Sequence, residues 1–347
     1  MSRKIKFNSK TDPDEFKAIR LIGSGGYGQV IELLHIPTGK HFAGKIIRKS
    51  KHSSKNIKNE ISIMKSVKGK NIIHFYGTIK YPRENPHRIV VMDYCDRGSL
   101  RDILKNNHIT LNEDQISIIL HDLLRALSTF HTKYQTVHGD IKAANILISS
   151  DGSVRLTDFG LSHKLENSES IDTSFSGSPY WMSPEVILCE NYSFPADIWS
   201  VGATAYELIE GEPPFYEYPT SRAMNEIVSL GFPGFHPNTK VSSQFNDFIM
   251  KCFRIRPNQR PTADELLKHP FIKRARKLDR NVVLKELLQK ENNFDLLMET
   301  DEYKNLQKFI HFENQFKTKS LIESDISKDS LDDKNKIEKK ISNIDTN

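Results

Sequence analysis

The 347-residue chain is 37% apolar and 27% charged, with a formal net charge of +6 and a mean hydropathy of −0.52. Its apolar runs fall far short of the ~20 residues of a membrane span, and the start Met-Ser-Arg-Lys-Ile-Lys carries no apolar signal core. Cys95, Cys189 and Cys252 are isolated and lack metal-ligand spacing, so reduced thiols in an intracellular protein are expected, in the cytoplasm first, with the nucleus open.

The totals hide two asymmetries. Residues 1–58 hold 13 basic and 4 acidic side chains, so they carry +9 and the remaining 289 carry −3. All 15 prolines and 17 glycines lie at or before Pro270. A turn-rich folded region is therefore expected to end near 270.

In chain order, Ile19–Ile22 and Val30–Leu34 read as strands flanking a glycine cluster, and His41–Ile47 follows a Pro-Thr-Gly turn. Lys55–Val67 has helical spacing at Ile57, Ile61 and Met64. Ile72–Tyr81 and Arg88–Tyr94 are strand-like. Asn112–Lys133 is a long amphipathic helix with Asn112 as its N-cap. Further helices are expected over 196–210, 221–230, 242–253 and 262–268. No internal repeat is visible. The pattern is α+β: a small β-rich lobe, then a larger helical lobe.

Gly23-Ser-Gly25-Gly26-Tyr27-Gly28 fits G-x-G-x-x-G. Glycine lets backbone N–H groups approach phosphate oxygens closely. Alone the motif describes many ordinary turns. Because Gln29-Val-Ile-Glu-Leu-Leu continues as a strand, the glycines sit at a hairpin tip. That argues against a dinucleotide site, which needs a helix there, and for a phosphate-covering flap. Lys45 on the third strand reads by itself as a solvated lysine, and Glu60 as a helix-surface acid. Jointly they form a candidate pair, because a lysine steering phosphates needs a carboxylate to fix it.

Residues 138–147 are His-Gly-Asp-Ile-Lys-Ala-Ala-Asn-Ile-Leu, and Asp158-Phe-Gly160 follows. Then come Ser183-Pro-Glu185, Asp197-Ile-Trp-Ser and Arg260-Pro-Thr. Seven motifs in this order over about 16–272 resemble the eukaryotic protein kinases. The resemblance implies a two-lobed fold, ATP with Mg²⁺ (Mn²⁺ also admissible) and transfer of the γ-phosphate to protein hydroxyls.

It also implies roles. Asp140 matches the base for the acceptor hydroxyl, and Lys142 the γ-phosphate contact. Asn145 and Asp158 match the metal ligands; hard oxygen donors suit Mg²⁺. Lys45 and Glu60 match the pair on the α/β-phosphates. Ile22, Gly23, Ser24, Gly25, Gly26, Tyr27, Gly28 and Gln29 match the flap. Val30, Ala43 and Leu147 match the adenine enclosure. Met92, Asp93, Tyr94 and Cys95 match the segment at the adenine edge, with Met92 as gatekeeper. Phe159 and Gly160 complete the metal-binding triplet, and Ser178 lies in the docking segment. Glu185 and Arg260 match a buried ion pair, whose rupture typically costs ~3–5 kcal/mol. Asp197 matches the acid that braces the catalytic loop.

Lys142 is similar to its counterpart in serine/threonine kinases. Gly177-Ser-Pro-Tyr-Trp-Met-Ser-Pro-Glu185 resembles the sterile group, the upstream enzymes of MAP kinase cascades and their germinal-centre relatives. Val91–Cys95, Gly98-Ser-Leu, Asn71–Gly77 and His269–Ile272 agree with it. Tyrosine-kinase-like serine/threonine kinases are near neighbours. Three positions depart from the family. Gly139 replaces the arginine that binds an activation-loop phosphate, so weak dependence on loop phosphorylation is expected. Gly44 beside Lys45 and Ser183 for alanine are expected to be neutral. Ser174 matches the usual phosphosite, with Thr173, Ser176, Ser162, Ser168 and Ser170 also available. Ser99 stands where many basophilic kinases carry an acid, which argues against a strict arginine preference.

The expected organisation is a basic extension (1–15), a kinase domain (16–272, small lobe 16–95, large lobe 96–272), a charged helical extension (273–316) and a disordered tail (317–347). The extension is read as packed on the large lobe, with a docking segment for a partner as the alternative. Lys49–Lys58 reads as a solvated approach to the Glu60 helix, and without a binding module the chain is not expected to bind nucleic acid. Two classes remain open beside a catalytic serine/threonine kinase: a pseudokinase acting as a scaffold, and a basic nucleic-acid binder.

Overall fold

A computed structural model describes residues 5–25, 28–47, 54–81, 87–165 and 178–289, with side chains except at 24, 25, 28 and 54–57. Strands β1 (Phe16–Gly25), β2 (Gly28–His35), β3 (Lys40–Ile47), β4 (Phe75–Tyr81) and β5 (His87–Asp93) form one antiparallel sheet in the order β1-β2-β3-β5-β4. Helix α1 (Ser54–Ser66) precedes β4. The sheet is apolar on both faces. One face joins the main core through Ala43, Ile61, Met64, Val90 and Met92. The other carries its own cluster of Phe7, Phe16, Leu33, Phe42, Ile79 and Val91. Burial on both sides explains why β3 is a continuous buried run from Phe42 to Ile46 rather than an alternating strand.

Two of the sequence expectations change here. Residues 71–73 do not join the sheet, so the predicted strand Ile72–Tyr81 begins at Phe75. Instead Leu156 N donates to Asn71 O at 2.9 Å and Ile73 N to Leu156 O at 3.0 Å, which ties this segment to the large lobe. Gly44 is also not neutral. A Cβ there would stand 2.6 Å from Leu33 Cδ1 and 2.9 Å from Ile89 Cγ2, so the strand packing requires its small size.

Within the expected N-terminal extension, before residue 16, lies a packed segment. Phe7 forms a parallel bridge with Gly77 and is 8% exposed. Its ring meets Phe16 and Phe42 edge-on at 4.9 and 5.3 Å. Pro13–Glu15 is a short 3₁₀ turn capped by Asp12.

The large lobe begins with α2 (Leu100–Asn107) and α3 (Glu113–Ser128). Asn112 and Gln115 cap α3 reciprocally, a capping box. The predicted helix runs to Lys133, but regular α-geometry ends at Ser128 and a wider π-turn follows over Thr129–Lys133. Thr129 and Thr132 hydroxyls donate back to the Arg125 and Ser128 carbonyls there, competing with the regular ladder. Short strands β6 (Thr136–Val137), β7 (Ile146–Ile148), β8 (Val154–Leu156) and β9 (His163–Lys164) pair as β6-β9 and β7-β8. Their length hid them from sequence periodicity.

Helix α4 (Pro184–Ile187) and then α5 (Phe194–Glu210) follow. Helix α5 is buried almost throughout and stops at Gly211, whose φ of 92° forms the left-handed C-cap. Helices α6 (Thr220–Ser229), α7 (Ser243–Cys252) and α8 (Ala263–Leu266) match three predicted segments within a few residues. Beyond them, α9 (Pro270–Lys273), α10 (Arg280–Val283) and α11 (Lys285–Gln289) pack on α3 and its surroundings. Leu284 and Leu287 are buried. Arg280 bridges Asp122 at 2.8 Å and the Gly152 carbonyl at 2.7 Å, and Arg274 pairs with Glu113 and Asp114. Residues 273–289 therefore pack on the large lobe; the rest of the extension and the tail lie outside the described residues. Among the described residues no helix is long and apolar enough to cross a membrane.

Candidate active site

Between the sheet and the large lobe lies a cavity of about 430 Å³. Ile22, Val30, Ala43, Met64, Met92 and Leu147 give it an apolar interior, while Lys45, Glu60, Lys142, Asn145 and Asp158 cluster as its polar groups. Gly23, Asp93 and Cys95 also border it. One apolar slot with convergent polar groups is the usual form of a small-molecule site.

Strand β3 carries Lys45 and α1 carries Glu60, both 7% exposed. Lys45 Nζ donates to Glu60 Oε1 at 2.6 Å and reaches Asp158 Oδ1 at 3.4 Å. Burial opposes charge on Lys45, but Asp158 and Glu60 outweigh it and hold the ammonium above its ordinary pKa. Asp158 itself sits at φ 62°, a left-handed conformation rare for a residue with a side chain. Gly160 N donates to its Oδ1 at 3.3 Å. Phe159 is fully buried against Phe130 and His138.

Asp140, Lys142 and Asn145 lie on the loop between β6 and β7. Asn145 Nδ2 donates to the Asp140 carbonyl at 2.8 Å and to its Oδ2 at 2.9 Å. Lys142 Nζ stands 2.8 Å from the same Oδ2 and donates to Ser178 Oγ at 2.5 Å. Asp140 Oδ1 is buried and has no hydrogen-bond partner among the described residues. Asp140 borders a second cavity of about 120 Å³ together with Gly139, Ser178, Trp181 and Ser183.

Asp197 on α5 is 1% exposed and holds this loop from beneath. Its Oδ2 accepts from His138 N and His131 Nε2, both at 2.8 Å, and its Oδ1 from Gly139 N at 2.9 Å. Burial alone would raise the Asp197 carboxyl; His131 and the loop amide outweigh it and hold it below the ordinary carboxylate range. Gly139 has φ 81°. Arg260 forks onto Glu185 at 2.5 and 2.8 Å and also donates to the Arg254, Pro195 and Ile255 carbonyls. Every strong donor of that buried guanidinium is thus paired.

The expectation for 92–95 concerns the backbone; the Tyr94 hydroxyl accepts from Arg20 at 3.0 Å and donates to Glu32 at 3.2 Å. Two sequence expectations differ. Ser162 is 1% exposed and its Oγ donates to the His138 carbonyl, so it is closed to modification in this conformation. Ser183 is not a neutral replacement for alanine, since its Oγ is buried without a partner among the described residues. Gly26, Tyr27, Ser168, Ser170, Thr173, Ser174 and Ser176 lie outside the described residues. Side chains at Ser24, Gly25 and Gly28 are not described, and Gln29 is absent from the cavity wall.

Sequence reasoning missed the grip on Asp93. Its Oδ1 accepts from Tyr76 OH at 2.9 Å, and its Oδ2 from His74 N, also at 2.9 Å. Arg155 of β8 pairs with the same Oδ2 at 2.9 Å and so links both lobes. It missed Glu207 as well. The available signal was a lone carboxylate inside the otherwise apolar stretch Ile198–Leu208.

The donor set fits a nucleotide with a divalent ion. The Asn145 amide nitrogen is engaged with Asp140, which leaves its oxygen, and Asp158 adds carboxylate oxygen, the ligands such ions prefer.

The family description "Protein kinase domain" matches residues 16–272. The chain is 37% identical over 273 residues to "Serine/threonine-protein kinase pakF" of Dictyostelium discoideum, covering 78% of this chain and 23% of that protein. It is 39% identical over 255 residues to "Serine/threonine-protein kinase shk1/pak1" of Schizosaccharomyces pombe, covering 73% and 38%. It is 38% identical over 271 residues to "Serine/threonine-protein kinase 4 homolog A" of Dictyostelium discoideum, covering 77% and 58%. The chain thus matches 23% to 58% of the length of these curated relatives. Members of this family use ATP and a divalent metal ion. With its domain match and its ordered site, the chain belongs to the protein kinase domain family.

Proposed function

We propose that the chain is a serine/threonine protein kinase of the sterile group, transferring the γ-phosphoryl group of ATP to Ser or Thr hydroxyls of protein substrates in intracellular signalling. One observation carries this reading. Asp140 is fixed through Oδ2 by Asn145 and Lys142, its Oδ1 is buried without a partner among the described residues, and the residue borders a cavity beside Ser178 and Trp181. A carboxylate so held offers one oriented lone pair to an incoming hydroxyl.

Asn145 and Asp158 would hold the metal, with Mg²⁺ as the ion of first choice and Mn²⁺ as the alternative. ATP supplies the phosphoryl group and the ion neutralises charge on its oxygens when bound. Lys45, fixed by Glu60, would position the α/β-phosphates. Asp140 Oδ1 accepts the proton of the acceptor hydroxyl. Lys142, placed between Asp140 and Ser178, lays positive charge where negative charge grows. Ile22, Val30, Ala43 and Leu147 would enclose adenine, and the backbone of 92–95 would hydrogen-bond its edge. The pak and serine/threonine-protein kinase 4 names of the relatives support the group. The scaffold alternative gains nothing from a site in which Lys45, Glu60, Asp140, Asn145 and Asp158 are all present and mutually placed.

The test is transfer from labelled ATP to a generic protein substrate, with Asp140→Asn as control. The wild type is expected to exceed the variant by at least a hundredfold, equal to ~2.7 kcal/mol. Equal background in both proteins would falsify the enzyme reading.

A further inference from the structure

Next to the catalytic loop, the protein binds one of its own arginines. Arg101 on α2 reaches Glu207 Oε1 at 3.1 Å through NH1 and Glu212 Oε2 at 2.6 Å through NH2. NH1 also donates to the Gly211 carbonyl at 3.3 Å, and the guanidinium lies 5.8 Å from the centre of the Tyr216 ring. Two carboxylates, a carbonyl and an aromatic face make a complete guanidinium receptor.

Its position matters as much as its chemistry. Glu207 is fully buried, and its Oε2 accepts from Ala143 N at 3.0 Å, the residue after Lys142. The same oxygen accepts from Trp181 Nε1 at 2.9 Å, and Trp181 borders the cavity that Asp140 also lines. On the other side, Asp102, the residue after Arg101, borders the nucleotide cavity. The receptor therefore lies beside the catalytic loop, next to residues that line both cavities. Glu212 is 40% exposed at its side chain, but its Oε2 is buried against Arg101.

We propose that Arg101 is a specificity-determining residue: it occupies an acidic subsite beside the catalytic loop and so keeps the enzyme from selecting acceptors by a nearby arginine or lysine. The proposal rests on the phosphoryl-transfer reading above. It gives a physical reason for indifference to basic residues that Ser99 alone does not provide. A basic acceptor side chain must displace a guanidinium already paired with Glu207, which costs about as much as the new contact returns.

The experiment uses the full chain and a set of Ser/Thr peptides, one neutral and the others with a single arginine at each of the five positions before the acceptor. The readout is the ratio of kcat/KM on each arginine peptide to that on the neutral one. Wild type is expected to show ratios within about threefold of one. Arg101→Gln is expected to raise the ratio at one position by about tenfold or more, and Glu212→Gln added to it to remove that gain. Arg101→Lys, which keeps a cation, is expected to keep the wild-type profile. A wild-type ratio above ten at any position overturns the proposal without any variant having to fold. So does an Arg101→Gln profile identical to wild type. Absence of transfer to every peptide by the wild type overturns the kinase reading as well, whereas altered or unaltered ratios speak to Arg101 alone.

Discussion

Phe7 and Gly77 are matched to each other: a Cβ at position 77 would stand 1.9 Å from the Phe7 carbonyl oxygen, and Gly77 adopts φ 148°. Phe7 N donates to Tyr76 O at 2.9 Å, so the segment before β1 pairs along the β4 edge and shields it. Phe7→Ala is expected to lower stability by about 3 kcal/mol, on the order of 8 °C in Tm. Gly77→Ala should cost at least as much, because the pairing itself is expelled. Thermal unfolding of both variants checks this. A Phe7→Ala variant as stable as wild type would show that the aromatic cluster closes without Phe7.

Ser183 is expected to behave in the opposite sense. Its hydroxyl is buried, with the residue 1% exposed, and unpartnered among the described residues. Replacing an unsatisfied buried hydroxyl by hydrogen removes a desolvation cost of about 1 kcal/mol or more. Ser183→Ala should therefore raise the urea midpoint. A lowered midpoint would place a hydrogen-bonded water at Ser183.

His138 sets an acid sensitivity. It is 0% exposed, and burial depresses its pKa below 6.5 despite Asp197, Asp140 and Asp158 nearby. The ring is held neutral from both sides: Nε2 donates to the Thr157 carbonyl at 3.1 Å, and Nδ1 accepts from Asp140 N at 3.3 Å. The unfolded chain takes up this proton as pH falls through 6.5, while the folded chain does so only at its lower value. Stability contributed by neutral His138 is thus full above 6.5 and declines between those two points, by up to ~1.4 kcal/mol per pH unit. Urea unfolding at pH 7 and 5.5 should show a smaller decline for His138→Gln than for wild type. Equal declines would assign the sensitivity to other groups.

Gly139 bears on control. Its backbone is fixed to Asp197, it has no side chain to pair with a phosphate, and a Cβ there would sit 3.0 Å from Leu161 O at φ 81°. The enzyme is expected to keep kcat within a hundredfold after phosphatase treatment compared with its autophosphorylated form. A larger drop, beyond ~2.7 kcal/mol, would show that the activation loop recruits another cation for its phosphate.

The sequence by itself determined which chemistry is possible and roughly where each element lies. Lys45, Glu60, Asp140, Lys142, Asn145 and Asp158 stood out because each has a side-chain type that phosphoryl transfer needs, at an ordered spacing along one chain. The capping box at Asn112 and the stop at Gly211 were legible because they are local. Only the tertiary structure decided the contacts that no local pattern encodes. Gly44 and Gly77 looked incidental until Leu33, Ile89 and Phe7 were packed against them. Ser183 looked neutral until its hydroxyl was seen to have no partner. Arg101 and Glu207 lie 106 residues apart and meet only because α2 and α5 converge beneath the catalytic loop. Side-chain chemistry and short-range periodicity are properties of the chain, whereas close packing and the pairing of distant charges are decided by which surfaces the fold presses together.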